Sequence, residues 1–151
     1  MRCSIRIPTT RSSAEVMSDS GLLDTNVVIL WDQLAVDDLP RAAAISAVTL
    51  AELAAGIHAA IDAEERARRV ELLQRVESSF DPIPFDTAAA RSYGRIAASV
   101  RASGRSPRAR VADQMIAATA AARGLPLHTT NVNDFIGLEG ILTVVLVRKP
   151  Q

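Results

Sequence analysis

Four carboxylates are spread along this 151-residue chain, each beside an apolar run: Asp24 after Leu22-Leu23, Glu52 before Leu53, Asp113 among Val111, Ala112, Met115 and Ile116, and Asp134 before Phe135. An acid in such company must find a positive partner or give up its charge, because a lone buried carboxylate is strongly disfavoured. The runs themselves restrict the architecture. Residues 21–24 read as a short buried strand, 44–46 as a brief second one, 125–130 as a third leading into a turn, and 141–147 as a last. Between them lie patterns of helical period. Strands alternating with helices predict an α/β fold, three layers deep, around a mainly parallel sheet. Ligands of such sheets bind beyond the carboxyl ends of the strands. Asp24 ends the first strand, and Asn131 and Asp134 follow a later one, so they face one crevice if those two strands are neighbours.

The helical segments carry recognisable end signals. Asn26 or Thr25 would cap a helix over 27–31, and Thr49 would open one with Leu50, Leu53, Ala54 and Ile57 on a single face. Residues 62–79 form a charged amphipathic helix with Ala63, Ala67, Val70, Leu73 and Val76 as its buried stripe. Asp86 caps a helix over Thr87–Ala102, where Tyr93, Ile96 and Val100 share a face. Val111–Arg123 is apolar nearly all round, which predicts burial, and Gly124 stops it.

The totals exclude several functions. A chain of this length suits one domain with a real core. Aromatics make up 3%, too few for a base-stacking surface, and the formal net charge is zero. Cys3 is the single cysteine, so no intrachain disulfide forms. No apolar run reaches the ~18–20 residues that span a bilayer, and a cytoplasmic protein is expected. Residues 1–20 lack the apolar centre of a secretion signal and read as a polar, disordered extension ahead of a domain over 21–148; Met17 is a plausible start, with 1–16 as an extension. Charge is uneven, with six arginines and no acid from Arg91 to Arg110. These are either solvated surface residues or a phosphate-binding rim, a task suited to planar guanidinium.

Each acid also has a local explanation. Thr49-Leu50-Ala51-Glu52 fits a capping box. Asp113 lies where a helix dipole welcomes a carboxylate, and Asp134 could cap a turn. Asp24, at a strand end, gains little without a partner. Asp113 belongs to a buried helix, and Arg110 is too near in sequence to lie comfortably on its face, so a bound hard dication is the better neutraliser. His128, on a buried strand, reads as structural and His58 as exposed or packed.

Four segments in register resemble the motifs of PIN domains, and most nearly those of VapC, the toxin of bacterial VapBC toxin–antitoxin pairs. They are Leu22-Leu23-Asp24-Thr25-Asn26-Val27-Val28-Ile29; Ser46 to Gly56; Arg110-Val111-Ala112-Asp113-Gln114-Met115-Ile116-Ala117-Ala118; and Thr129-Thr130-Asn131-Val132-Asn133-Asp134-Phe135. The resemblance implies a PIN-type α/β fold and a Mg2+-dependent endoribonuclease in which Mn2+ substitutes. It implies that Asp24, Glu52, Asp113 and Asp134 form the metal centre and carry the catalysis. Asp24 and Asp113 would be direct ligands, with Glu52 and Asp134 completing the pocket, in part through waters. Asn26 and Asn131 would orient substrate or water, and Thr25 and Thr130 are lesser candidates.

The implied partners are RNA, a VapB-like antitoxin lying against the helices around 26–34 and 50–60, and a second copy packed through Ala-rich faces such as 117–122. A homodimer and a toxin–antitoxin hetero-oligomer are thus expected, with no membrane. The alternative is a catalytically silent PIN-fold module that binds RNA or protein. A phospho-accepting signalling domain needs a lysine after a later strand, and residues 1–148 contain none. A haloacid-dehalogenase phosphatase wants Asp-x-Asp where this chain has Asp24-Thr25-Asn26.

Overall fold

Leu22 and Leu23 show how the sheet is built. Consecutive strand residues face opposite ways, and both leucines are fully buried, each in a different hydrophobic cluster. A strand apolar on both faces must lie inside a sheet covered on both sides. The computed structural model describes residues 19–151, and there the strand is β1, Ser20–Leu23, central in a four-stranded sheet of order β2-β1-β3-β4. The others are β2 (Ala42–Ile45), β3 (Leu127–Thr129) and β4 (Val144–Leu146), and every pairing is parallel. The expectations for residues 1–18, including Met17 and Cys3, lie outside the described residues. β1 begins within the stretch read as a tail, at Ser20.

Among the described residues five α-helices cover the sheet: α1 (Thr25–Ile29), α2 (Ala47–His58), α3 (Ala63–Ser79), α4 (Thr87–Ala102) and α5 (Val111–Arg123). On one face Leu22 and Leu127 pack against Ile96 and Val100 of α4 and Ile116, Ala117, Ala118 and Ala120 of α5. On the other, Leu23 and Ile45 meet Val27 and Val28 of α1, Leu53 of α2 and Val76 of α3. The result is the three-layer α/β arrangement expected, around a sheet that is wholly parallel. None of its described helices is long and apolar enough to cross a membrane.

Side-chain caps placed the helix starts differently from the sequence patterns. Asp24 caps α1, not Asn26 or Thr25, because its carboxylate accepts the Thr25 N–H at 2.9 Å. α1 ends at Ile29, and a 3₁₀ turn takes up Trp31–Gln33. Ser46, read as strand, caps α2 by accepting from Val48 N at 2.9 Å. Thr49 therefore lies within the helix and fully buried, and the capping box with Glu52 does not form. In α3, Ala63 and Ala67 are exposed, while Val70 and Leu73 are half-buried and Val76 is buried. Arg69 instead ties this end down, donating to the Gly56 carbonyl of α2 and to Glu65. The run 117–122, considered as a face between copies, is largely core. The last strand shrinks to Val144–Leu146.

Because β1 lies between β2 and β3, the chain leaves β1 toward one edge, then crosses back to the other side. This reversal opens a crevice at the carboxyl ends of β1 and β3. The two strands are direct neighbours, with Asp24 N donating to His128 O at 2.9 Å.

His128 is buried against Gly21, where a Cβ would overlap its imidazole ring. Gly21→Ala is therefore expected to destabilise the fold by about 1–3 kcal/mol. Urea unfolding should show the loss, and a Gly21→Ala/His128→Ala double variant should recover part of it relative to the sum of the singles; strict additivity would show that the ring is not the obstacle. Burial also lowers the pKa of His128 below its ordinary 6.5, and Nδ1 has no hydrogen-bond partner among the described residues. The folded state thus refuses a proton that the unfolded chain accepts, and this contribution to stability is lost as pH falls below about 6.5. The stability difference between the parent and His128→Leu, measured from pH 8 to pH 5, should move against the parent; a constant difference would contradict the buried neutral imidazole.

Candidate active site

Asp24 stands where β1 turns into α1, with only 2% of its surface exposed. Its two oxygens are separately committed. Oδ1 accepts from Thr25 N, and Oδ2 accepts the Thr129 hydroxyl of β3 at 2.8 Å. Thr129 also accepts from Asn131 N at 3.1 Å, which shapes the turn after β3. Asn26 closes the same junction from the other side, its carbonyl oxygen accepting from Thr130 N at 3.4 Å. Asn26 and Asn131 therefore both line the seam between the first and fourth motifs.

Glu52 reaches the site from α2. The Thr25 hydroxyl donates to its Oε1 at 2.6 Å and lies 3.0 Å from the Thr49 hydroxyl. Asp113 comes from the first turn of α5 and Asp134 from a 3₁₀ turn, Val132–Phe135, that follows β3. Arg110 joins this last pair, with Nη1 3.6 Å from Asp113 Oδ2 and also paired with Asp134 Oδ1. Sequence proximity had argued against such a contact. The pair has the i,i+3 spacing that brings side chains together at a helix start, and Arg110, the N-terminal flanking residue of α5, has a left-handed backbone (φ 55°, ψ 46°).

Asp24 and Asp113 both feel the neighbouring acids. Burial raises the Asp24 pKa above its usual value, its hydrogen bonds from Thr129 and Thr25 oppose the rise, and Glu52 and Asp134 add to it. Asp113 is pushed up to about 6, first by burial and then by Asp24, Asp134 and Glu52, with Arg110 pulling the other way. At both positions burial is the main cause, and the nearby carboxylates add negative charge that Arg110 opposes only at Asp113. Every donor is a carboxylate oxygen, the ligand type that suits a hard dication. Among the described residues, no three His, Cys, Asp or Glu side chains form a ready-made metal cage. That is compatible with magnesium, which uses one or two carboxylates and retains several waters.

The remaining candidates sort simply. His58 is exposed and His128 is packed into the sheet, so neither joins the acids. Of the arginine run, Arg91, Arg95, Arg101 and Arg108 are exposed. Arg105 instead donates to the carbonyls of Ile136 at 3.1 Å and Asp134 at 3.4 Å, holding the turn that carries Asp134. Sequence reasoning missed Thr129, Thr49 and Arg110 as members of this network. Thr49 and Thr129 lay inside quoted motifs, but a hydroxyl carries no signal of its partner until strands and helices are assembled.

The PIN-domain family profile matches residues 21–138. Ribonuclease VapC5 of Mycobacterium tuberculosis is 39% identical over 132 residues, 85% of this chain and 95% of that protein. The crystal structure of VapBC-5 from M. tuberculosis, a member of the VapBC toxin–antitoxin family, superposes with a TM-score of 0.74 at 39% identity, covering 87% of this chain and 99% of that one. DNA-bound VapBC from Salmonella typhimurium superposes with a TM-score of 0.63 at 26% identity, over 85% of this chain and 97% of that one. Four motifs in register, a parallel sheet of order β2-β1-β3-β4 and these likenesses agree: the chain belongs to the PIN-domain family, in its VapC branch.

Proposed function

We propose that this protein is the toxin of a toxin–antitoxin pair and a divalent-cation-dependent endoribonuclease. The observation that carries this reading is the convergence of Asp24, Glu52, Asp113 and Asp134, from four separate segments, at the carboxyl ends of β1 and β3. Kinship with the VapC ribonucleases supports RNA as the substrate class. Mg2+ is the proposed ion, with Mn2+ able to replace it. Asp24 and Asp113 would hold it directly, and Glu52 and Asp134 through waters. Bound there, the ion supplies an activated water and offsets charge developing on the attacked phosphodiester.

The chain's own groups prepare the site. The hydroxyls of Thr25 and Thr129 are bound to Glu52 and Asp24, so they orient acids and are not free as nucleophiles. Asn26 has given its carbonyl oxygen to Thr130, which leaves its amide N–H groups to meet a phosphate or water oxygen. Asp24→Asn keeps a good helix cap and a group able to bond Thr129, yet removes the charge. Asp24→Asn and Asp113→Asn should each lower cleavage of RNA in Mg2+ by roughly 100-fold or more and relieve growth inhibition. Mapping RNA ends made by each purified variant checks this; parental cleavage by either one would remove that acid from the site.

An apolar groove on the layer of α1 and α3 is the surface we propose for the antitoxin. A groove of about 540 Å³ runs between α1, the following turns and α3, walled by Val28, Ile29, Trp31, Leu34, Leu72 and Phe80. Trp31 and Phe80 meet edge to face at 5.8 Å. Residues of the region 26–34 line one side of this groove and residues of α3 the other. Ile29 is 53% exposed and Val36 83%, a poor arrangement for a chain alone but suited to an apolar segment of an antitoxin. Ile29→Glu with Val36→Glu should abolish rescue by the small protein encoded immediately upstream while RNA cleavage continues. Undiminished rescue and unaltered complex formation on gel filtration would place the antitoxin elsewhere.

A further inference from the structure

We propose that Arg110 is an in-chain counter-ion of the acid cluster, which a divalent cation must displace from Asp113 and Asp134 in order to bind; this rests on the metal-dependent reading above. Three observations lead there. Arg110 is the only non-glycine among the described residues with a positive φ. A left-handed conformation at such a residue costs on the order of 1 kcal/mol and persists only where surrounding contacts enforce it. Those contacts are present: Gln114, 6% exposed, donates its side-chain amide to the carbonyls of Pro107 at 3.0 Å and Ala109 at 2.7 Å, and its backbone N–H to Arg110 O at 3.2 Å.

The clamp sets the direction of the Arg110 side chain. It turns the guanidinium onto Asp113 and Asp134, two acids from different segments. The Arg110 side chain is 55% exposed, and an ion pair that open to water adds little to stability. Strain enforced for so weak a stabiliser points to a role in the site. A cavity of about 270 Å³, lined by Arg105, Arg110, Gln114, Asp134, Phe135 and Leu138 among others, adjoins the pair and gives the guanidinium room to withdraw without repacking the core. Arginine and dication would compete for the same carboxylate oxygens and repel each other at close range. In the absence of the ion, Arg110 holds Asp113 and Asp134 together; once displaced, it presents a free guanidinium beside the site where an RNA phosphate would lie.

Mn2+ titration of the purified full chain, followed by calorimetry and by the manganese EPR signal, tests the idea without reference to cleavage. Arg110→Gln removes the charge and keeps the strained backbone, whereas Arg110→Gly removes both. Each should bind Mn2+ roughly tenfold more tightly than the parent, and Arg110→Lys should bind close to the parent. Damaged folding would weaken binding, so tightening cannot arise that way. Equal or weaker binding by Arg110→Gln overturns the proposal, as does tightening confined to Arg110→Gly, which would trace the effect to backbone strain. If neither the parent nor any variant binds Mn2+, the metal-dependent reading itself fails; if all bind alike, only the role of Arg110 falls.

Discussion

The carboxylate of Asp24 is the interaction on which the structure turns. It is buried at the centre of the sheet, yet burial raises its pKa and so opposes the charge it would carry. Two hydrogen bonds offset that penalty, and each has an architectural consequence. The bond from Thr25 N starts α1, and the bond from the Thr129 hydroxyl fastens β1 to β3. Removing the acid in favour of an apolar side chain would relieve the desolvation. Retaining it makes sense for a residue whose charge is used.

From that anchor the other acids are added by different means. Glu52 is steered by a hydroxyl, through Thr25, from the separate helix α2. Asp134 rides on a turn whose carbonyls are held by Arg105. Asp113 stands on the first turn of a buried helix, three residues after the left-handed Arg110 that lies against it. Hydroxyls, guanidinium groups and a strained peptide thus keep apart and in place four charges that would otherwise drive the site open. The remaining excess of negative charge is what a hard cation would neutralise.

The acids gather at the carboxyl ends of β1 and β3, and the apolar groove lies on the layer formed by α1 and α3. Asp24 continues directly from Leu23, and α1 begins at the next residue, so the helix whose first turn abuts the acids also presents Val28 and Ile29 to the groove. An occupant of the groove would therefore press on α1, whose start is the Asp24 cap. This gives a short physical connection between partner binding and the acids, through a five-residue helix.

Much of this was legible from the chain alone. The doubled leucine before Asp24, the helical period of 87–102 and the apolar run 111–123 determined the order of elements and the parallel sheet, because burial patterns follow from local periodicity. The four acids were visible because a charge at the end of an apolar run is conspicuous. Helix starts were less legible: Ser46 and Thr49 are both plausible caps, and which one is used depends on where the preceding strand ends. The expectation that Arg110 lies too near Asp113 fails because residues three apart at a helix start are neighbours, whereas its contact with Asp134 depends on tertiary structure. What only the tertiary structure decided was which distant oxygens meet. Hydroxyl partners such as Thr25 with Glu52 and Thr129 with Asp24 depend on strand neighbours and helix placement, and those are set by packing over the whole core, not by the residues beside each group.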